Sequence, residues 1–312
     1  MHGCLAHSAA SPGPPPEPKC FYHRRPAHRV GQVSDVGWRV AYNSVVGTSH
    51  EKTGLPCQDA GGCRIIRDPV GRELLLAIAC DGAGSASRSR DGANLTVDRF
   101  FQEFGEAAKR SGLDEIAKEF VQDWLSRLRA EIKDRADAED LSAREFACTV
   151  LAAIIGEDRA AFFQIGDGAM VVSNRSEPDD YGWIFWPQHG EFANETNFIT
   201  QDNALDVLEF EAEDRCVDEI ALFTDGIERL VLDLTEKTAH PPFFRTLFRW
   251  LVKTEPTPVE TEIQTSPVLD QYLGSKQIND RTDDDKTLIL ASRRPVPDQQ
   301  TATADADTAT TD

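Results

Sequence analysis

Apolar residues fall in short runs along the middle of the chain, and the spacing within each run predicts its form. Val36–Val46 (VGWRVAYNSVV) reads as a strand, and Gly62–Arg67 with Glu73–Cys80 reads as a hairpin about Asp68-Pro69-Val70-Gly71. Beyond Asp81 the period lengthens: Ala93, Val97, Phe100, Phe101 and Phe104 share one helical face, and Ile116, Phe120, Trp124, Leu128 and Ile132 share another. Such stripes are core faces. Strands return at Cys148–Ile155, Ala160–Ile165, Ala169–Ser173 and Tyr181–Trp186, with tight hairpin turns expected at Gly156-Glu157-Asp158 and Gly166-Asp167-Gly168. Ile220–Thr224 and Thr287–Ser292 complete the strands, a helix is expected over Phe243–Val252, and the Pro-, Thr- and Glu-rich stretch Thr254–Asn279 reads as an irregular surface insertion.

Strands joined by hairpins imply antiparallel sheets, and a pair of long helices must cover an apolar sheet face. The expected architecture is α+β: two antiparallel sheets packed together with helices on their outer faces. The ends differ in composition. Residues 1–34 are rich in Pro, His and Ala without periodicity and read as a disordered arm; 294–312 are low-complexity and read as a disordered tail, leaving 35–293 as one catalytic-sized domain.

Charge and cysteine usage narrow the classes. The net charge of −20 argues against nucleic acid or an anionic membrane as partner. Seven scattered cysteines form no CxxC pair, so reduced thiols in a cytoplasm are expected, with Cys80 and Cys148 as small core residues; Cys4, His7, Cys20 and His23 lack a metal-site spacing. The N-terminus has neither a basic n-region nor an apolar h-region, and no run approaches a membrane span.

The acids carry the chemistry. Asp81 follows LLLAIAC, Asp225 follows IALFT, Asp167 follows AAFFQI, Asp59 precedes a strand, and Asp284 and Asp285 precede TLILA. Each stands at the edge of an apolar strand. One acid in such a place is ordinarily a turn former or cap; several converging on one rim would repel one another unless cations neutralised them. Hard cations such as Mg²⁺ and Mn²⁺ take oxygen ligands of this kind. No HExxH, GxSxG or GxxxxGK[ST] motif competes.

CQDA at 57–60, ACDGAGS at 79–85, FACTVLAAII at 146–155, QIGDGAM at 164–170, LFTDGIE at 222–228 and DDDKTLIL at 283–290, in that order, resemble the protein phosphatase 2C family of metal-dependent serine/threonine phosphatases. GTSH at 47–50 and EFANET at 191–196 are similar to a bacterial branch. The resemblance implies a four-layer αββα sandwich with two, or three, Mg²⁺ or Mn²⁺ ions at one end. Asp81 would bridge two ions, the Gly82 carbonyl would join it, and Asp225 and Asp284 (rather than Asp285) would hold the second. Asp59 would act through metal-bound water, and Asp167 would help a weaker third ion. A metal-bridging hydroxide would attack phosphorus in line, with no phosphoenzyme. The implied substrate is a phosphoprotein of a serine/threonine kinase pathway; a catalytically silent scaffold or a small-molecule phosphoesterase on the same fold are the competing readings.

Three departures from the family pattern matter. No Arg precedes Asp59 to grip phosphate, so His50 or Lys52 is the candidate donor. Gln58 stands where some relatives have Glu. Ala83 stands where a histidine, thought to protonate the leaving group, often follows Asp-Gly. Asn194 and Glu195 would lie near the cleft.

Overall fold

The computed structural model describes residues 37–174, 176–188 and 196–296. The expected N-terminal arm, most of the expected tail, and Asn194 and Glu195 lie outside the described residues. In chain order the elements are β1 (Arg39–Val45), α1 (Thr48–Thr53), β2 (Ala60–Arg67), β3 (Glu73–Cys80), α2 (Ser89–Ser111), α3 (Lys118–Ala138), β4 (Val150–Ile155), β5 (Ala160–Ile165), β6 (Ala169–Asn174) and β7 (Glu177–Trp183). There follow α4 (Ala204–Val207), β8 (Glu209–Glu213), β9 (Glu219–Phe223), α5 (Asp225–Val231), β10 (Leu232–Asp233), β11 (Thr238–Ala239), α6 (Pro241–Leu251), α7 (Pro267–Leu273), α8 (Lys276–Asn279) and β12 (Lys286–Ser292).

Two five-stranded antiparallel sheets, ordered β1-β12-β9-β6-β7 and β2-β3-β4-β5-β8, pack face to face. Strand alternation explains the layers. On β3, Leu75, Ala77 and Ala79 enter the core between the sheets, whereas Leu74, Leu76, Ile78 and Cys80 pack against α2 and α3. β12 repeats this division: Ile289 and Ala291 point inward, and Leu288 and Leu290 meet α5, α6 and α7. Burial on both faces is why these strands read as continuous apolar runs rather than alternating ones. Phe100 and Phe104 of α2 and Trp124 of α3 form an aromatic cluster with Phe163 of β5, closing that outer layer. The expected four-layer αββα sandwich is present. Among the described residues, no helix is long and apolar enough to cross a membrane.

Two expectations need correction. The Gly166–Gly168 turn is no hairpin: β5 and β6 lie in different sheets, so the turn carries the chain from one sheet to the other. Gly166 and Gly168 hold φ of 105° and 87°, a region that side chains disfavour, which allows so abrupt a crossing. The 254–279 stretch is also more ordered than its composition suggests. Its first part is laced to the sheets by Thr257 N donating to Trp38 O (2.7 Å), Glu260 N to Ile65 O (2.7 Å) and Ser266 N to Tyr42 O (2.8 Å). Its second part forms α7, which buries Leu269 and Leu273, and α8. Two leucines four residues apart were too short a period to announce a helix.

Candidate active site

Strand register gathers the acids at one end of the sandwich. Ala60 pairs with Cys80, placing Asp59 beside Asp81; Phe223 pairs with both Leu288 and Ala169, placing Asp225 near Asp284 and the 166–168 turn. The turn is then fixed by side chains from elsewhere. Asp167 N donates to Thr196 Oγ1 (3.0 Å), Gly166 N donates to Gln188 Oε1 (2.9 Å), and Gln164 Nε2 donates to Gly166 O (3.0 Å). Asp81 is locked reciprocally to Thr149, its N–H donating to Thr149 Oγ1 (2.9 Å) while Thr149 N donates to Asp81 O (2.8 Å).

The outcome is a convergence. Asp81, Asp167 and Asp225, from three separated segments, each offer a carboxylate oxygen, and these lie within 4.8 Å of one another. Asp59 is held behind them, its carboxyl against that of Asp81. Asp59 Oδ2 accepts from both Thr224 Oγ1 and Thr287 Oγ1 at 2.8 Å, so Thr224 at the start of α5 turns its hydroxyl to Asp59 instead of capping the helix.

Burial, reinforced by neighbouring carboxylates, raises every one of the central pKa values that shifts. Burial lifts Asp81 well above the ordinary carboxylate range, with Asp59 and Asp225 adding to it. Asp225 is raised to about 8 by burial, then by Asp167 and Asp284. Burial raises Asp59 to about 6 against the opposing pull of its hydrogen bonds. An all-oxygen set of mutually repelling carboxylates, fixed by backbone and hydroxyl bonds, fits a hard divalent cation.

Asp284 and Asp285 separate cleanly. Asp285 is 2% exposed and its carboxylate is taken up by other partners: Oδ1 accepts from Gly47 N (2.6 Å), and Oδ2 accepts from Gln58 N (2.5 Å) and meets His50 Nδ1 (3.0 Å). Asp284 is exposed and acts on Asp225. His50 therefore has one ring nitrogen engaged, while Lys52 projects from α1 into solvent. Lys286, an unforeseen neighbour, is fully buried and donates Nζ to Asp284 O (3.0 Å). The supporting Thr149, Thr196, Thr224, Thr287 and Gln188 were also missed, because each meets its partner across 22 to 228 positions of chain.

Close approach makes two predictions here. A methyl on Gly226 would stand 1.8 Å from Asp285 O, so Gly226→Ala must push α5 from the start of β12. It should destabilise the protein by about 1–3 kcal/mol in denaturant titration and depress activity by parting Asp225 from Asp284. Thr287→Val removes one of the two hydroxyls on Asp59 at nearly constant volume. Measured as phosphate release, turnover should fall about 10–100-fold, as for other groups that orient a metal-binding shell, with Thr224 left as the one hydroxyl on Asp59.

A β-sandwich whose rim brings carboxylates from three segments to one point has the donor set for a hard divalent cation. The protein phosphatase 2C family model matches residues 46–266. The chain belongs to the protein phosphatase 2C family. It is 38% identical over 264 residues to Serine/threonine-protein phosphatase 3 of Escherichia coli (strain K12), covering 82% of this chain and 98% of that protein. Its fold is shared by a bacterial serine phosphatase (TM-score 0.56, 16% identity, 82% of this chain and 98% of that one). It is also shared by the serine/threonine phosphatase Stp1 from Staphylococcus aureus (TM-score 0.53, 17% identity, 84% and 98%).

Proposed function

We propose that the rim acids hold Mg²⁺ or Mn²⁺ and that the chain hydrolyses phosphoserine and phosphothreonine in proteins. It is a protein serine/threonine phosphatase. The single observation that carries the metal reading is the convergence of Asp81, Asp167 and Asp225. Asp81, the Gly82 carbonyl, Asp225 and Asp284 would hold two ions, and Asp167 would serve these or a third. Bound divalent cations of this kind polarise phosphoryl oxygens and make water nucleophilic at neutral pH.

The chain's own residues fix the positions of these charges. Thr224 and Thr287 aim Asp59 at Asp81, and Thr149 aims Asp81. Cys57, two residues before Asp59, is kept as a neutral thiol by burial and by Asp59 and Asp285, so it does not compete as a nucleophile. Water would then be the nucleophile, with no phosphoenzyme. A substrate carrying phosphoserine or phosphothreonine has to be supplied by a serine/threonine kinase.

The test is release of inorganic phosphate from phosphoserine, phosphothreonine and phosphotyrosine peptides and from nucleoside monophosphates, with Mg²⁺, Mn²⁺ or EDTA. Turnover of the first two peptides that EDTA abolishes is expected. Preference for nucleotides would replace the protein-phosphatase reading, and no turnover with either metal would leave a silent scaffold.

A further inference from the structure

Asp285 and His50 form a pair that metal binding does not use. Asp285 accepts two backbone N–H groups, so it acts as an acceptor, and the His50 nitrogen facing it is the donor. That contact fixes the ring: Nδ1 carries a hydrogen toward Asp285, and Nε2 is the nitrogen left for other work. The pair is also anchored on both sides of the metal-binding acids. Gln58, which donates to Asp285, immediately precedes Asp59, and Asp285 immediately follows Asp284. Helix α1, which carries His50, is tied to the same place by Ser49 N and Ser49 Oγ, which donate to Asp283 O at 2.9 and 2.7 Å. The His50 side chain is 15% exposed, against 2% for Asp285, so the imidazole is the outward end of the pair. A buried carboxylate behind a rim histidine is an arrangement for orienting an acid–base group.

We propose that His50, oriented by Asp285, protonates the seryl or threonyl oxygen as it leaves phosphorus. The assignment rests on the phosphatase reading. In the step, the water oxygen forms the new bond to phosphorus, and the bond between phosphorus and the seryl oxygen breaks with its electron pair passing to that oxygen. The imidazolium Nε2 proton moves to the same oxygen, releasing the alcohol. Of the two water protons, one stays on the phosphate product and the other restores the imidazolium through solvent. Asp285 is a positioning residue, since it reaches the reaction only through His50.

Leaving-group dependence tests this. A serine alkoxide is strongly basic and needs a proton in the transition state, whereas nitrophenolate is a weak base and needs little help. With the full chain in Mn²⁺, His50→Gln should lower kcat about a hundredfold or more on a phosphoserine peptide. The loss on p-nitrophenyl phosphate should be at least tenfold smaller, with intermediate aryl phosphates graded by the basicity of the phenol. Ser49→Ala, which loosens α1 without touching the ring, should affect all these substrates alike. Equal losses for His50→Gln across the series would overturn the assignment and make His50 a structural pin of α1. A rise in KM with kcat unchanged would overturn it in favour of phosphate gripping. Absence of wild-type turnover on every substrate would overturn the phosphatase reading and this assignment with it.

Discussion

Asp81→Asn is expected to abolish nearly all metal-dependent turnover while making the metal-free protein more stable. The substitution is close to isosteric, and both backbone bonds between Asp81 and Thr149 can persist. What disappears is one negative charge at the centre of the acid cluster. Groups that merely orient a metal shell are worth about 10–100-fold, so loss of the central acid should reach about a thousandfold or more in kcat. The same charge is a burden without metal, because burial and the neighbouring Asp59 and Asp225 all disfavour it. Relief of roughly 1 kcal/mol would raise the metal-free Tm by about 2–4 °C. Calorimetry of Mn²⁺ binding should show a weakened site in the same variant. A variant that kept wild-type turnover, or melted lower without metal, would place the metal elsewhere.

The metal-free protein should lose stability as pH rises from about 4 to about 9, the reverse of the usual carboxylate behaviour. The sign follows from proton counting. Unfolded, these aspartates release their protons near the ordinary value of about 3.9. Folded, Asp59 holds its proton to about 6, Asp225 to about 8 and Asp81 well above the ordinary range. Across that interval the native state binds more protons than the unfolded state, so the free energy of unfolding falls with pH. Stability is fully present below the unfolded pKa and is lost as pH rises through the folded values. The acids titrate as a coupled set, so their individual shifts do not add and the loss is spread over the whole interval. Saturating Mn²⁺ should flatten the slope and raise Tm most at high pH, where the unmetallated cluster is most strongly charged. Thermal melts in EDTA and in Mn²⁺ from pH 5 to 9 check this. A flat or rising Tm in EDTA would mean that the acids are not crowded as the structure has them.

The acids that matter were legible because each breaks an apolar run at its edge, and because glycine follows Asp81, Asp167 and Asp225. The antiparallel sheets and helix pair were legible for a similar reason: short apolar runs closed by turn residues, and a helical spacing of three to four, are local and survive in the chain order. The residues that orient the acids were not. Thr287 reaches Asp59 across 228 positions, Gln188 meets Gly166 across 22, and nothing local at either end marks the bond. The same distance hid the role of Asp285, whose partners Gly47, His50 and Gln58 lie 227 to 238 positions away in the chain.

By itself the sequence determined which residues could carry charge at strand ends and which runs had to be buried, since both depend on residue type and local period. Only the tertiary structure decided that Asp81, Asp167 and Asp225 meet at one point, that Asp284 stays exposed, and that Asp285 is buried and holds His50. Those outcomes depend on strand register between two sheets and on a turn that crosses from one to the other. Register is set by packing over the whole core, which no local stretch of the chain contains.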